Sequence, residues 1–511
     1  MLPSLILGSL LVLLFSNLPP GPSGGLFGCK APQFQSWKTF YQWNRQYGPV
    51  VSFRLGTKRV IVLGTVKAAT DLLVLRGNIY SGRPRSIVAH EILSGGMRGI
   101  GMSDGPQYRK WKTVWRSSRL MQWGLSNTAA LNYQRLQAIE SCLLVRDLLK
   151  DDNPLQYKNR LRRFAISIVC CVAYGRRIKT LDDDIVANNL KTAACTLSSF
   201  QSMFRTLRSC IPLLTTCFSV PGKFLVDSLP ILLYLPKFLQ WFRWEPEKRR
   251  AVDTEIYLSL LNGVKLQTQD GTAHPSMATR GLEKQQELGF TDVETAYALS
   301  APWSAGTGTT TATIQVFLLA MLHYPADQKR MPDFKDFDAL PYIQAVIKET
   351  MRWRCIVPVS VPHAAMSDDV YNGMFIPKGS TVYANIYAMT QDETAFPNAE
   401  EFIPERFLNT SDRKMINFML PFGFGRRQCP GAYVAWQSIF ISVVRMLWAF
   451  DIMPPVDEKG NKVLPSVDSF TSGLTTEPEH FKCYFEPRSS RAKDIIMQEA
   501  DRAEIDALAW K

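Results

Sequence analysis

A single cysteine at position 429 stands in the stretch PFGFGRRQCPG (421–431), among three glycines, two arginines and two prolines. From Ala432 onward apolar residues recur at spacings of three and four, so Cys429 lies just ahead of a helix. Backbone N–H groups and the dipole at a helix N-terminus favour an anion and lower a thiol pKa, which suits Cys429 to bind a metal as a thiolate. Gly423, Gly425 and Gly431 let the backbone turn sharply and approach a flat ligand closely. Arg427 offers forked donors to an anionic group such as a carboxylate. Together these residues support one axial thiolate on a metal held in a flat, anionic cofactor.

Phe422, Gly425, Arg427, Cys429 and Gly431 reproduce, within ten residues, the cysteine-loop pattern of the cytochrome P450 family. The chain resembles that family over nearly its whole length, from PPGP (19–22) through YSGRP (80–84) to the strands near Phe481, in the manner of its fungal microsomal members. The resemblance implies a cytochrome P450 fold, haem b as cofactor and Cys429 as the iron ligand. It carries a buried triad onto Glu349 and Arg352 of KETMRW (348–353) and Arg406 of FIPERF (402–407). His363 stands where the family places a basic residue near a haem propionate. Trp115 and Arg119 match the family's Trp-x-x-x-Arg helix in one register, Tyr108 and Lys112 in another, and Arg119 is taken as a second propionate partner.

AGTGTT (305–310) resembles the family's oxygen-activating segment, which makes Gly306, Thr309 and Thr310 the candidate catalytic residues. Small residues allow close passage over the cofactor, and Thr309 can hold a water. The chain departs from the family at Gly308, where an acid is usual. Proton delivery then falls to Thr309, Thr310 and water, or the chemistry is a rearrangement or dehydration without external oxygen. A second departure is the short link between HYP and LPYI (323–343), where the family spends an additional helix. Gly308 and this link also leave open a haem-binding paralogue without turnover.

Distant helices must converge for Cys429, Thr309 and Glu349 to act together, and the sequence pattern supplies them. Spacings of three and four predict helices over 131–149, 160–174, 291–323, 340–354 and 432–450. Two β-branched runs around Gly56-Thr57-Lys58 predict a hairpin within 47–66, and alternation with Gly and Pro predicts a second small sheet within 369–385. The fold class is mainly α with minor β. No Ser/Gly-rich linker, repeat or low-complexity tract divides the body.

The N-terminus carries an apolar run from Leu5 to Phe15 with no small-residue cleavage site behind it, and PPGP follows almost at once. Residues 1–18 are read as a membrane anchor, 19–27 as a proline-rich hinge and 28–511 as the haem-thiolate domain. A cleaved signal peptide is the alternative, and it would make Asn409 a glycosylation candidate. The 59 Lys and Arg against 45 Asp and Glu are scattered without a nucleic-acid motif, so the net charge of +14 points to an acidic protein partner or an anionic membrane face. Ten cysteines show no CxxC and no regular spacing, so neither a disulfide framework nor a zinc site is indicated, and buried thiols in a reducing compartment are expected.

The resemblance then implies a haem-thiolate monooxygenase on the endoplasmic reticulum membrane with its catalytic domain in the cytosol. It implies electrons from NADPH through a separate NADPH–cytochrome P450 reductase, a flavoprotein, with cytochrome b5 as a further donor. Its substrate would be a lipophilic small molecule, such as a fungal secondary metabolite of terpenoid or polyketide type. The family layout places substrate contacts at 84–104, 195–225, 297–306, 356–362 and 471–475, with Phe200, Phe204, Trp303 and Val359 as apolar candidates.

Overall fold

The computed structural model describes residues 17–24, 28–29, 32, 34–56, 58–102, 124–183, 186, 225–324, 332–408 and 410–510. Most of the anchor, Arg119 with its neighbours, Phe200, Phe204 and Asn409 lie outside these residues.

The chain enters through helix α1 (Ser36–Tyr47) and a hairpin of β1 (Val50–Leu55) and β2 (Lys58–Leu63). The major helices that follow are α2 (Gln134–Lys150), α3 (Tyr157–Tyr174), α4 (Trp241–Gln269), α5 (Asp292–His323) and α6 (Pro341–Trp353). Four short strands come next: β3 (His363–Ala364), β4 (Asp369–Tyr371), β5 (Met374–Ile376) and β6 (Thr381–Ala384). Helix α7 (Ala432–Ala449), strands β7 (Phe450–Met453) and β8 (Tyr484–Pro487), and helix α8 (Ser490–Asp506) close the chain.

The predicted helices and hairpin are present, but the second sheet differs from expectation. β4 and β5 pair through an Asn-Gly turn at Asn372 (φ 49°) and Gly373 (φ 77°), the conformation a tight hairpin requires. β6 leaves them and joins the first sheet, parallel to β2 and antiparallel to β3, in the order β1-β2-β6-β3. Its four residues are all buried, whereas β4 and β5 are partly open. Alternation along β2 sends Ile61 and Leu63 to one core and Val60 and Val62 to another, so the sheet is covered on both faces.

Helix α5 is the spine of the main core. A capping box starts it: the Glu294 N–H donates to Thr291 Oγ1 and the Thr291 N–H donates to the Glu294 carboxylate. Helices α5 and α7 are long and apolar enough to cross a membrane, yet 72% and 78% of their apolar windows are buried against neighbouring elements, which makes both core helices. Within the short link, residues 332–340 hold a single 3₁₀ turn, Phe334–Ala339, and 325–331 lie outside the described residues.

Candidate functional site

Two 3₁₀ turns, Leu420–Phe422 and Gly425–Arg427, fold the cysteine loop back so that the Cys429 N–H donates to the Phe422 carbonyl at 2.8 Å. Gly423 and Gly425 carry φ of 83° and 55°. A Cβ on Gly425 would lie 2.3 Å from the Leu73 carbonyl oxygen, so only glycine allows this loop to press against the turn at Thr70–Leu75. Gly431 caps α7, and a Cβ there would meet nothing within 4 Å.

Cys429 is the one exposed cysteine among the described residues, where five of the other six are buried. The surrounding protein nevertheless displaces much of the water from its thiol. Burial pushes its pKa up, against the Gly431 N–H that donates to the sulfur. The lowering expected from the helix N-terminus is present but outweighed by desolvation, so ionisation of this thiol falls to a bound metal.

Arg427 donates from Nε to the Ser81 carbonyl and from Nη2 to the Met102 carbonyl, both at 2.9 Å. His363 is 4% exposed, and its Nδ1 donates to the Tyr80 carbonyl at 2.8 Å, which leaves Nε2 as the unprotonated nitrogen of the neutral ring. Burial first, then the Arg83 and Arg427 guanidinium groups, hold His363 down to about 3. The structure thus brings His363 and Arg427 together and adds Arg83, which bonds the carbonyls of Ile100, Val361 and Pro362. Arg83 escaped the sequence reading, although YSGRP was the signal that contained it.

A base whose folded pKa is depressed binds its proton later than the unfolded chain does. Haem-free protein should therefore lose stability as pH falls from about 6.5 towards 3, by roughly 3–5 kcal/mol from His363. Urea midpoints across this window should fall less steeply in His363→Gln. A carboxylate placed against Nε2 should raise the His363 pKa and shrink the slope in wild type as well.

Helix α5 is buried at 295–300 and 310–322, but between them Ser304, Ala305 and Gly308 are exposed. This window of small residues lies in the middle of a core helix that packs against α7, the helix Cys429 precedes. Thr309 Oγ1 donates to the Ala305 carbonyl at 2.8 Å, leaving its lone pairs to accept from a water, and Thr310 is buried. The two glycines differ. A Cβ on Gly306 would sit 2.5 Å from Val169 Cγ1, whereas one on Gly308 would meet nothing within 4 Å. Gly306 therefore lets α5 close on α3. Gly308→Ala should stabilise the fold by about 0.5–1 kcal/mol through helix propensity. Gly306→Ala should destabilise it by about 1–3 kcal/mol through overpacking. Urea unfolding of the two variants checks the opposite signs.

Trp303, 1% exposed, and Val359, 9% exposed, both pack into hydrophobic cores. Glu349, Arg352 and Arg406 meet in one buried cluster. Glu349 accepts from Arg352 Nε and Nη2 at 2.7 Å each, from the Ile403 N–H at 2.8 Å and from Arg406 Nε at 3.2 Å.

The Cytochrome P450 family profile matches residues 19–483. Cytochrome P450 monooxygenase 58 of Postia placenta is 33% identical, with 92% of this chain and 89% of that protein covered. Cytochrome P450 monooxygenase aneD of Aspergillus aculeatus is 33% identical, with 96% and 92% covered. A zebrafish cytochrome P450 solved with abiraterone shares the fold at a TM-score of 0.67 and 21% identity, over 89% of this chain and 99% of that one. The glycine-shaped cysteine loop, the buried triad and full-length similarity to monooxygenases converge on one conclusion: this oxidoreductase chain belongs to the cytochrome P450 family.

Proposed function

We propose that this protein is a membrane-anchored haem-thiolate monooxygenase that inserts one oxygen atom into a lipophilic small molecule, a terpenoid or polyketide intermediate of secondary metabolism. Electrons come from NADPH through NADPH–cytochrome P450 reductase, with cytochrome b5 as a further donor. The observation that carries the reading is Cys429, an exposed thiol among mostly buried ones, receiving the Gly431 N–H at the start of α7.

The residues fit haem b. Cys429 would hold the iron through its sulfur, and Phe422, Gly425 and Gly431 would shape the loop around it. Arg427 and Arg83 would face the carboxylates, with His363 as a further donor once protonated, and Arg119 is proposed to join them. Bound there, haem supplies dioxygen activation and oxygen-atom transfer. Thr309 and Thr310 would order water and pass protons in place of the acid missing at Gly308, while Gly306 sets how closely α5 approaches α3. Arg426, exposed beside the cysteine, offers positive charge to an acidic redox partner.

Membrane attachment at the endoplasmic reticulum rests on the apolar run at 5–15 as anchor, the hinge at 19–27 and the catalytic domain from 28 onward. The carbonyls of Pro19 and Pro20 accept from Ser52, and that of Asn17 accepts from the Phe375 N–H, so an anchor would leave the body at a fixed point. Ile231, Tyr234, Phe238 and Trp244 are 72%, 88%, 73% and 61% exposed, an amphipathic ridge suited to lipid headgroups.

The test is the carbon monoxide difference spectrum of the reduced protein in microsomes. A red-shifted Soret band of thiolate type supports the reading. A histidine-type band, or none, overturns it.

A further inference from the structure

We propose that the cleft between the hinge and the β1–β2 hairpin binds the phosphate of an anionic phospholipid headgroup, held by Arg54 and Arg59. The lipid as source of the phosphate rests on the membrane-anchored reading above; the anion site rests on the residues that line the cleft.

The hinge is tied at two points to β1, the edge strand of its sheet. The Pro20 carbonyl accepts from the Ser52 N–H at 2.9 Å and the Pro19 carbonyl from Ser52 Oγ at 2.7 Å, while the Cys29 N–H donates to the Arg54 carbonyl at 2.8 Å. Both ties bring backbone so close that only glycine fits. A Cβ on Gly21 would lie 1.9 Å from the Ser52 carbonyl oxygen, and one on Gly28 (φ 85°) 2.1 Å from that of Arg54. Between the ties lies a cavity of about 270 Å³, whose walls include Leu18, Pro22, Gly24, Phe53, Arg54 and Arg59. No Asp or Glu is among the described residues that line it.

Arg54 and Arg59 stand directly opposite each other across the hairpin, so both side chains leave the sheet on one face. Like charges in that position repel. Arg59 is half-buried, and its burial together with the neighbouring Arg54 pulls its pKa down, the mark of positive charge held against a cost. An anion between the two side chains offsets that cost, and paired guanidinium forks match the oxygens of a phosphate. Size and setting select a headgroup. The cavity falls below the roughly 300–1,000 Å³ of sites that enclose a whole drug-sized molecule. Leu18 on its wall follows Asn17, whose carbonyl accepts from the Phe375 N–H where an anchor would leave the body. Lys58, next to Arg59, lies within charge reach of Asp227, at the foot of the arm that carries the exposed Ile231, Tyr234 and Phe238. Basic pockets beside a membrane anchor on its cytosolic side meet anionic headgroups.

The test titrates full-length holoprotein in non-ionic detergent with dihexanoyl phosphatidate, a soluble anionic phospholipid, and separately with dihexanoyl phosphatidylcholine and inorganic phosphate. Calorimetry reads affinity, and hydrogen exchange over 50–63 reads where the ligand sits. Wild type should bind one equivalent of the phosphatidate and slow its exchange at 50–63. Arg54→Gln/Arg59→Gln should weaken that binding by about tenfold or more, the scale of lost charge-assisted hydrogen bonds. Arg59→Lys, which keeps the charge without the fork, should fall between. Arg413→Gln/Lys414→Gln removes the same charge from two exposed positions elsewhere and should stay within about twofold of wild type. Equal weakening in the two double variants would reduce the effect to net charge and overturn the site, as would unchanged exchange at 50–63. Equal affinity for phosphatidylcholine would remove the preference for an anionic headgroup, and equal affinity for inorganic phosphate would overturn the lipid as source. No phosphatidate binding by a protein that shows the thiolate-type carbon monoxide band defeats this site alone. Phosphatidate binding by a chain that lacks that band, or that fails to float with phosphatidylcholine vesicles, defeats the functional or the anchor reading and leaves the anion site standing.

Discussion

Glu349→Gln is expected to yield little holoprotein and to lower the stability of the haem-free chain by about 3–5 kcal/mol, the cost of stranding buried charge. Glu349 and Arg352 are both fully buried, and the Arg406 side chain is only 9% exposed. One carboxylate therefore faces two guanidinium groups, and the surplus positive charge is met by backbone oxygens. Arg352 also donates to the carbonyls of Thr390, Ala399 and Glu401, and Arg406 to those of Pro397 and Asn398. Gln keeps one acceptor oxygen and no charge, and in either orientation its NH₂ group points a donor at a donor: at Arg352 Nε when the oxygen takes the Oε1 place, or at Arg352 Nη2, the Ile403 N–H and Arg406 Nε when it takes the Oε2 place. The damage should reach the cysteine loop. The triad ties α6 to the 390–407 stretch, whose Phe396 and Phe407 meet Phe418 in tilted and edge-on contacts with ring centroids 5.0–6.5 Å apart, and Phe418 leads directly into the turn at Leu420–Phe422. The checks are urea midpoints of the haem-free protein and the haem-to-protein ratio after purification. An Arg406→Lys variant, which keeps the charge and loses the fork, should suffer the lesser loss.

The local part of this architecture was legible in the sequence, and the parts set by distant partners were not. Helices α2, α3, α5, α6 and α7 follow from apolar spacing because each buries one stripe or more against its neighbours. The β1–β2 hairpin was legible for the same local reason. β6 was assigned to the wrong sheet because alternation reports that a strand has two faces, while its pairing with β2, more than 300 residues earlier, depends on burial. Cys429, Glu349, Arg352 and Arg406 were recognisable by family motif and spacing, and the structure assembles the last three as a triad. Arg83 carried no spacing signal of its own; only the fold sets its guanidinium beside His363. Gly306 and Gly308 look alike in AGTGTT, and only the position of Val169 separates a packing glycine from one that faces open space. Trp303 suggests a lipophilic contact by type, yet the helix face it occupies points into the core. The thiol pKa of Cys429 turned on a balance between a helix terminus and desolvation, and the sequence reveals only the first.

Cys429→Ala should separate the cofactor role of this position from any structural one. The side chain is exposed, and the loop is held by contacts that alanine keeps: the N–H of residue 429 to the Phe422 carbonyl, the positive φ of Gly423 and Gly425, and Arg427 on Ser81 and Met102. Only the Gly431 N–H loses its acceptor, next to open space where water can replace the sulfur. Haem-free Cys429→Ala should therefore unfold within about 1 kcal/mol of wild type, the range of an exposed substitution. Comparing haem-free forms matters because a ligand bound only to the native state adds its own stabilisation. The same variant should lose the thiolate-type carbon monoxide band and all NADPH-dependent product formation, since no other exposed cysteine among the described residues can take its place. Product formation that survives the substitution would defeat the haem-thiolate assignment. A variant that fails to fold without haem would instead assign Cys429 a part in holding the loop, which its exposure and the bonds around it argue against.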